Sequence, residues 1–184
     1  GAGVGVKLGR GLVAIDADTY DKECARIIKA KIEEVLGCCP PLRIGQFPKA
    51  LYLVRTDPDF VYTRIEFGER DEKGRLKERV EILAEGRQFV AHGVHPKTMQ
   101  PYDWKLPLVS YDSLPFASTA QLHQILDELR PLLPAASELK VEGVGAGADI
   151  DQDTLRGDPH LVEKAVAAIV NTSERFPTRE SYLD

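Results

Sequence analysis

Hydrophobic and polar positions along the chain fall into blocks that predict a strand, a helix, further strands and a second helix. The apolar run at residues 12–15 is typical of a buried strand. Apolar residues then recur at helical spacing over residues 24–36, with Thr19 placed to cap this helix and Gly37 to end it. The pattern therefore begins with a strand that leads directly into a helix.

The middle of the chain carries patterns of short strands. Residues 50–54 and 61–67 are rich in β-branched and aromatic side chains, which is typical of strands. Residues 79–83 and 88–91 are also strand-like, and they flank a turn sequence at residues 85–87. This arrangement predicts a hairpin between the last two strands.

A second amphipathic helix is predicted to begin at Ser118 or Thr119, with leucine and isoleucine on one face. The order of elements is thus a strand and a helix, an antiparallel meander, and then helices. This order predicts an α+β fold in which a mixed or antiparallel sheet carries its helices on one side.

The composition is that of a globular protein with an uneven charge distribution. The 184 residues carry a formal net charge of −5, which argues against indiscriminate coating of nucleic acid. Residues 43–97 nevertheless hold 11 basic and 9 acidic residues, so any polyanion site is expected there. No apolar run reaches the length of a membrane span. Cys24, Cys38 and Cys39 complete no zinc pattern, so we expect reduced thiols in a cytoplasmic protein.

Two carboxylates, Asp16 and Asp18, follow the first apolar run. Alternate residues of a strand share a face, so the two side chains can point the same way, about 7 Å apart. A divalent cation would relieve their mutual repulsion, and hard oxygen ligands suit Mg²⁺ or Mn²⁺. The competing interpretation is that one aspartate caps the next helix while the other is solvated.

A loop around His95 is the second candidate for chemistry. Pro96 restricts the backbone of His95, and Gly93 permits a close approach of a ligand. A histidine held in this way can donate to a phosphate oxygen. Taken alone, His95 is better explained as an ordinary surface residue of a loop.

Basic residues cluster between these two features. Arg43 and Lys49 surround a glycine and a proline, and Arg55 ends the next strand. Such cations suit a triphosphate or a nucleic-acid backbone. The alternative is a solvated strand edge that lysine and arginine protect from pairing.

Short motifs follow the acidic pair in a particular order: Arg43-x-Gly45-x-x-Pro48-Lys49, Gly86-Arg87-Gln88, His95-Pro96-x-Thr98 and Tyr102-x-Trp104. This order resembles the catalytic domain of the archaeo-eukaryotic primase superfamily, in its bifunctional primase-polymerase branch. The resemblance runs over about residues 3–114. The acidic pair is generic, and the later motifs are the more specific part.

The resemblance implies template-directed nucleotidyl transfer on a sheet similar to that of the RNA-recognition motif. It implies that Asp16 and Asp18 hold Mg²⁺ or Mn²⁺, and that His95 contacts the phosphates of an incoming NTP or dNTP. Arg43 and Lys49 match the family segment that binds nucleotide or template. Further predicted contacts to nucleotide or DNA are Arg55 and Arg87.

A third acidic residue completes the metal site of this family. Asp112 is our choice, while Asp103 and Glu81 stay open because spacing does not decide among the three. Residues 1–142 are predicted to form the catalytic core, without the segment that usually precedes it in such proteins. Residues 143–157 are predicted to form a linker. Residues 158–184 are predicted to form a helix and a tail that lead to a following domain.

The predicted partners are a DNA template and primer, together with a helicase domain or subunit, because a helicase often follows in this family of phage, prophage and plasmid proteins. Two other classes of function compete with this hypothesis. A metal-dependent transferase that uses a nucleotide-sugar would explain the two aspartates but not the histidine loop. A non-catalytic DNA-binding initiator module would need the basic residues but no metal.

Overall fold

A computed structural model of the protein describes residues 3–106 and 108–137. The chain divides after Lys140, and all described residues belong to the first unit, Gly1–Lys140. The predicted linker at 143–157 and the predicted helix and tail at 158–184 lie outside the described residues.

A six-stranded antiparallel sheet forms the centre of this unit. The strands of the sheet are β2 (Leu12–Asp18), β3 (Leu42–Ile44), β4 (Ala50–Arg55), β5 (Thr63–Arg70), β6 (Leu76–Leu83) and β8 (Asp103–Trp104). Their order across the sheet is β5-β6-β2-β4-β3-β8, and every neighbouring pair is antiparallel. With two α-helices beside it, the sheet confirms the predicted α+β class.

Two helices, α1 (Lys22–Leu36) and α2 (Thr119–Leu129), pack on one face of the sheet. Helix α2 begins as predicted, because Ser118 caps it and forms a capping box with Gln121. Helix α1 begins differently. The cap is Asp21, whose carboxylate accepts hydrogen bonds from the first turn, whereas the hydroxyl of Thr19 donates to Glu78. The prediction of Thr19 as the cap was therefore wrong.

The opposite face of the sheet meets a small second sheet made of β1 (Val4–Lys7) and β7 (Gln88–His92). The predicted hairpin between the strands at 79–83 and 88–91 was wrong. A strand has two edges, and β6 uses both of them, one for β2 and one for β5. Strand β7 therefore leaves the turn at Gly86 to pair with β1 instead.

The side chains of β2 alternate between the two faces of the sheet. Val13, Ile15 and Ala17 belong to the core beneath the helices, while Ala14 belongs to the core shared with the small sheet. Asp16 and Asp18 continue the Ala14 side of the strand beyond this second core. The acidic pair therefore lies on the sheet face opposite the helices.

Two general expectations can also be compared with the described residues. None of the helices there is both long enough and apolar enough to cross a membrane. The three cysteines are free thiols, with Cys24 buried and Cys38 and Cys39 exposed.

Candidate functional site

One cavity of about 170 Å³ lies at the end of β2, on the face opposite the helices. Both aspartates line it, and so do Arg43, Lys49 and His95. The chain positions of these five residues span 16 to 95, so only the tertiary fold brings them together. The other lining residues are Gly45, Gln46, Ala50 and Tyr102.

Strand register explains why these side chains converge. Asp16 on β2 pairs with Leu51 on β4, and Leu51 pairs with Arg43 on β3. Directly paired residues of antiparallel strands project to the same face, so Arg43 and Asp16 share the cavity side. On the other side of β2, Asp16 pairs with Glu81 on β6. A row across four strands thus carries two carboxylates and a guanidinium.

The surroundings of the Asp16 carboxyl oppose its ionisation. Burial raises the pKa of Asp16 from its usual value of 3.8 to about 6, and the carboxylates of Asp18 and Glu81 act in the same direction. The nearby guanidinium of Arg43 acts against this rise but does not cancel it. Among the described residues, none donates a hydrogen bond to the Asp16 carboxyl. Its negative charge is therefore poorly compensated.

Asp18, two residues further on, is compensated by two cations. The Lys49 Nζ lies 2.5 Å from one carboxylate oxygen, and the Arg79 Nη2 lies 3.3 Å from the other. Arg79 also approaches Glu81, with its Nε 3.6 Å from a carboxylate oxygen. The sequence pattern predicts a strand at Arg79 but does not indicate that its side chain contacts Asp18.

The ring orientation of His95 is set by its own loop. The Nδ1 atom accepts hydrogen bonds from the backbone N–H of Lys97 at 3.3 Å and of Thr98 at 3.2 Å. A neutral imidazole that accepts at Nδ1 carries its proton on Nε2. His95 can therefore act as a hydrogen-bond donor through Nε2 toward an anion in the cavity.

Tyr102 and Gly45 define the shape of the cavity wall. The Tyr102 ring packs edge-on against His95 at 5.5 Å between centroids, and the Arg43 guanidinium lies 4.5 Å from the centre of the same ring. Gly45 faces both rings, and a Cβ there would overlap Tyr102 and lie 2.9 Å from His95 Cδ2. The glycine is thus needed to let the two rings approach the strand.

The three candidates for the third carboxylate are separated clearly. Glu81 is the direct strand partner of Asp16, although it does not line the cavity itself. The Tyr62 hydroxyl donates to it at 2.6 Å. Asp103 lies on the edge strand β8, where it forms an ion pair with Lys105.

Asp112, the residue chosen from the sequence, is not brought to the acidic pair. It is exposed in a short 3-10 turn, Tyr111–Ser113, and the preceding Tyr111 hydroxyl donates to the Arg10 carbonyl. That contact places the turn near Leu12, at the start of β2. Asp16 lies four residues further along the strand, or about 13 Å.

Two predicted cations also lie outside the cavity. Arg55 pairs with Leu12 at the far end of β4, and its Nε donates to the Leu114 carbonyl. The Arg87 guanidinium lies 4.4 Å from the centre of the Tyr62 ring, so it contacts the residue that holds Glu81. Neither side chain lines the cavity that holds Asp16.

The donor chemistry of the acidic pair fits a hard divalent cation. The pKa of the Asp16 carboxyl is raised, and no described residue donates a hydrogen bond to it. A bound cation would therefore balance the negative charge of this carboxylate. Within residues 3–106 and 108–137, no group of three or more His, Cys, Asp or Glu side chains is already spaced to hold an ion. Lys49 sits where a cation beside Asp18 would bind, so ion binding requires this ammonium to move.

Sequence reasoning assigned no role to several residues of the cavity region, among them Arg79 and Gly45. Arg79 lies two residues before Glu81 on the same strand, so their side chains point to the same face of the sheet. This spacing could have indicated that Arg79 lies near the acids. The signal for Gly45 was weaker, because nothing local shows that Tyr102 and His95 fold back against it.

Comparisons with other proteins add nothing to this geometry. No family model matches the chain. No curated protein matches it either. The resemblance to the primase superfamily therefore stays a prediction from the motifs, and the functional argument below depends on the site.

Proposed function

We propose that the protein is a template-directed nucleotidyltransferase of the primase-polymerase type, acting on a DNA template with NTP or dNTP. One observation carries the proposal: a single cavity is lined by two strand aspartates, a histidine whose Nδ1 accepts from two backbone amides, and two cations. This combination suits a phosphoryl-transfer site, in which acids hold cations and basic groups hold a triphosphate.

The residues take distinct roles in this proposal. Asp16 and Asp18 would hold Mg²⁺ or Mn²⁺, with Glu81 as the third carboxylate. Bound ions would lower the pKa of the attacking 3′-hydroxyl and neutralise charge that develops on the leaving pyrophosphate. Arg43 and Lys49 would orient the triphosphate by charge, because both cations line the cavity, Lys49 after it leaves Asp18 to a bound cation.

His95 is proposed to donate from Nε2 to a phosphate oxygen of the nucleotide. Its backbone hydrogen bonds hold the ring before any ligand arrives, so little rotamer freedom is lost on binding. The cavity of about 170 Å³ is smaller than the roughly 300–1,000 Å³ of most small-molecule pockets. It would thus take the phosphates and cations, while the nucleoside extends outward.

The finer fold assignment belongs to the same proposal. A sheet with both helices on one face and the acids on the other is what a palm similar to the RNA-recognition motif requires. The part of this face that the small sheet leaves uncovered, at the acidic pair, then receives the template and the primer. A helicase domain or subunit as partner follows from the resemblance alone.

A primer-extension assay with Mg²⁺ and Mn²⁺ tests the proposal. We expect the wild-type protein to extend a primed DNA template, and the double variant Asp16→Ala with Asp18→Ala to retain less than about 0.1% of that rate, because both cation ligands are lost. Circular dichroism checks that the variant is folded. Extension by the folded double variant at a rate near wild type would refute the assignment.

Gly45→Ala tests the shape of the cavity without changing its charge. The new Cβ must displace the rings of Tyr102 and His95, so we expect about tenfold weaker affinity for a nucleoside triphosphate. The backbone φ of Gly45 is not in the left-handed region, so the fold itself should tolerate alanine. Gly5→Ala is the matched control, because its Cβ meets only a backbone oxygen at 3.8 Å. Equal affinity in the two variants would argue against a nucleotide in this cavity.

A non-catalytic DNA-binding module is the second candidate, and the ion pairs of Asp18 favour it. Because Lys49 and Arg79 already compensate this carboxylate, the acids could have a purely structural role. Such a module would bind DNA equally with and without Mg²⁺ and would incorporate no nucleotide. The primer-extension assay therefore separates the two candidates.

A further inference from the structure

A second concavity of about 370 Å³, called the basic groove here, adjoins the first cavity. Asp18 and Lys49 line both, so the two spaces share a wall. The groove is larger and is not used by any role assigned above. Its remaining lining residues are Tyr20, Asp71, Arg75, Leu76, Lys77, Arg79 and Lys97.

The groove is positively charged in spite of the net charge of the chain. Five basic and two acidic side chains line it, and both acids are already paired. Lys77 and Lys97 are exposed, and in the described part of the chain no carboxylate lies within ion-pair distance of either. These two ammonium groups are therefore free to meet an external anion.

An exposed aromatic ring lines the groove together with these cations: Tyr20 is 51% exposed. Phe47, 66% exposed, lies outside the lining of the groove. The Lys49 Nζ lies 3.7 Å from the Tyr20 ring centre, and the Lys22 Nζ lies 5.9 Å from that of Phe47. The Tyr20 ring thus offers the groove a flat apolar face beside positive charge.

We propose that the basic groove binds a single strand of nucleic acid, with phosphates along Lys77 and Lys97 and a base against the exposed ring of Tyr20. Sites for single strands combine a positive groove with aromatic rings on which bases stack. A free polyphosphate would use the cations but make no use of the exposed Tyr20 ring. The inference rests on the proposed function only for the strand's purpose, which is to deliver the template to the adjoining cavity.

Binding of fluorescein-labelled oligothymidylate to the full chain in EDTA tests the groove without any catalytic step. We expect Lys77→Gln with Lys97→Gln to weaken binding at least tenfold and to reduce the salt slope by about 1.4, since each lost phosphate contact contributes about 0.7 for single strands. Tyr20→Leu should weaken binding about fivefold at an unchanged salt slope, because it removes stacking and no charge.

Lys7→Gln with Lys29→Gln is the matched control. It changes the net charge by the same amount at exposed positions that do not line the groove. An equal loss in both double variants would overturn the inference, because net charge alone would then explain binding. Absence of oligonucleotide binding by the wild-type protein would overturn it as well.

A second measurement separates the strand from a free polyphosphate. The double variant Lys77→Gln with Lys97→Gln should bind inorganic triphosphate within about twofold of the wild-type affinity. If it instead loses triphosphate affinity tenfold and still binds the oligonucleotide, the groove is a polyphosphate site and the inference is overturned. Primer extension by the wild-type protein is scored independently. If the groove variants bind the oligonucleotide as well as wild type does, the inference fails but the proposed function is unaffected. If the wild-type protein binds the oligonucleotide in the groove but does not extend a primer, the proposed function fails but the inference is unaffected.

Discussion

Glu81→Gln is expected to lower the rate of nucleotide incorporation by about 1,000-fold, whereas Asp112→Asn should leave it within about twofold of wild type. The reason lies in strand register. Glu81 is paired directly with Asp16, while the turn that carries Asp112 contacts the opposite end of the same strand. Primer extension under saturating nucleotide measures both variants.

The two substitutions are well matched, because each removes one negative charge with little change in shape. Glutamine keeps an oxygen that can accept from the Tyr62 hydroxyl, so the β6 surroundings should stay intact. Equal thermal stability of the two variants would establish that the difference is catalytic. The reverse result, an inactive Asp112→Asn and an active Glu81→Gln, would contradict the proposed third carboxylate.

Asp16→Asn should make the cation-free protein more stable at neutral pH, although it removes a proposed cation ligand. The folded state raises the pKa of Asp16 from 3.8 to about 6, mainly by burial. The folded protein thus binds this proton more tightly than the unfolded chain, and ionisation of Asp16 opposes folding. At about 1.36 kcal/mol per pKa unit, the full penalty is about 3 kcal/mol.

The pH dependence gives this prediction its sign. Below about pH 3 the acid is protonated in both states, so the asparagine variant gains nothing. The penalty grows as the pH rises through the interval between 3.8 and about 6, and it is complete above about pH 7. Urea unfolding in EDTA at several pH values should show the stability difference increasing over this range and then levelling off.

Asp18→Asn is the control, because it lies on the same strand face but loses ion pairs with Lys49 and Arg79. We expect it to destabilise the protein by about 1 kcal/mol at neutral pH. Added Mg²⁺ should stabilise the wild type by mass action and leave Asp16→Asn nearly unchanged. A stability difference for Asp16→Asn that does not vary with pH would show that its carboxyl is adequately solvated.

Local patterns were sufficient for most of the elements in the described unit. The apolar run before Asp16 is a buried strand, and Ser118 caps the second helix. The prediction of the α1 cap failed, because Thr19 and Asp21 are both good capping residues and only the contact of Thr19 with Glu78 removes it from that role. Capping depends on neighbours that a local pattern does not contain.

The position of the third carboxylate could not be read from the sequence for a related reason. Glu81, Asp103 and Asp112 follow one another along the chain, and spacing offers no ground for preferring one. Their separation from Asp16 is decided by which strands pair. Arg55 could not be located from the sequence either, because β4 brings Ala50 at one end to the cavity and Arg55 at the other end to Leu12.

The amino-acid sequence by itself determined that Asp16 and Asp18 share one face of a strand, because side chains in an extended chain alternate with a period of two. It also determined the helix that follows. Only the tertiary structure decided that His95, Arg43 and Lys49 line the same cavity, that β7 pairs with β1, and that Glu81 stands beside Asp16. Strand partners are chosen by long-range packing and by which edges are still open, so no local pattern encodes them.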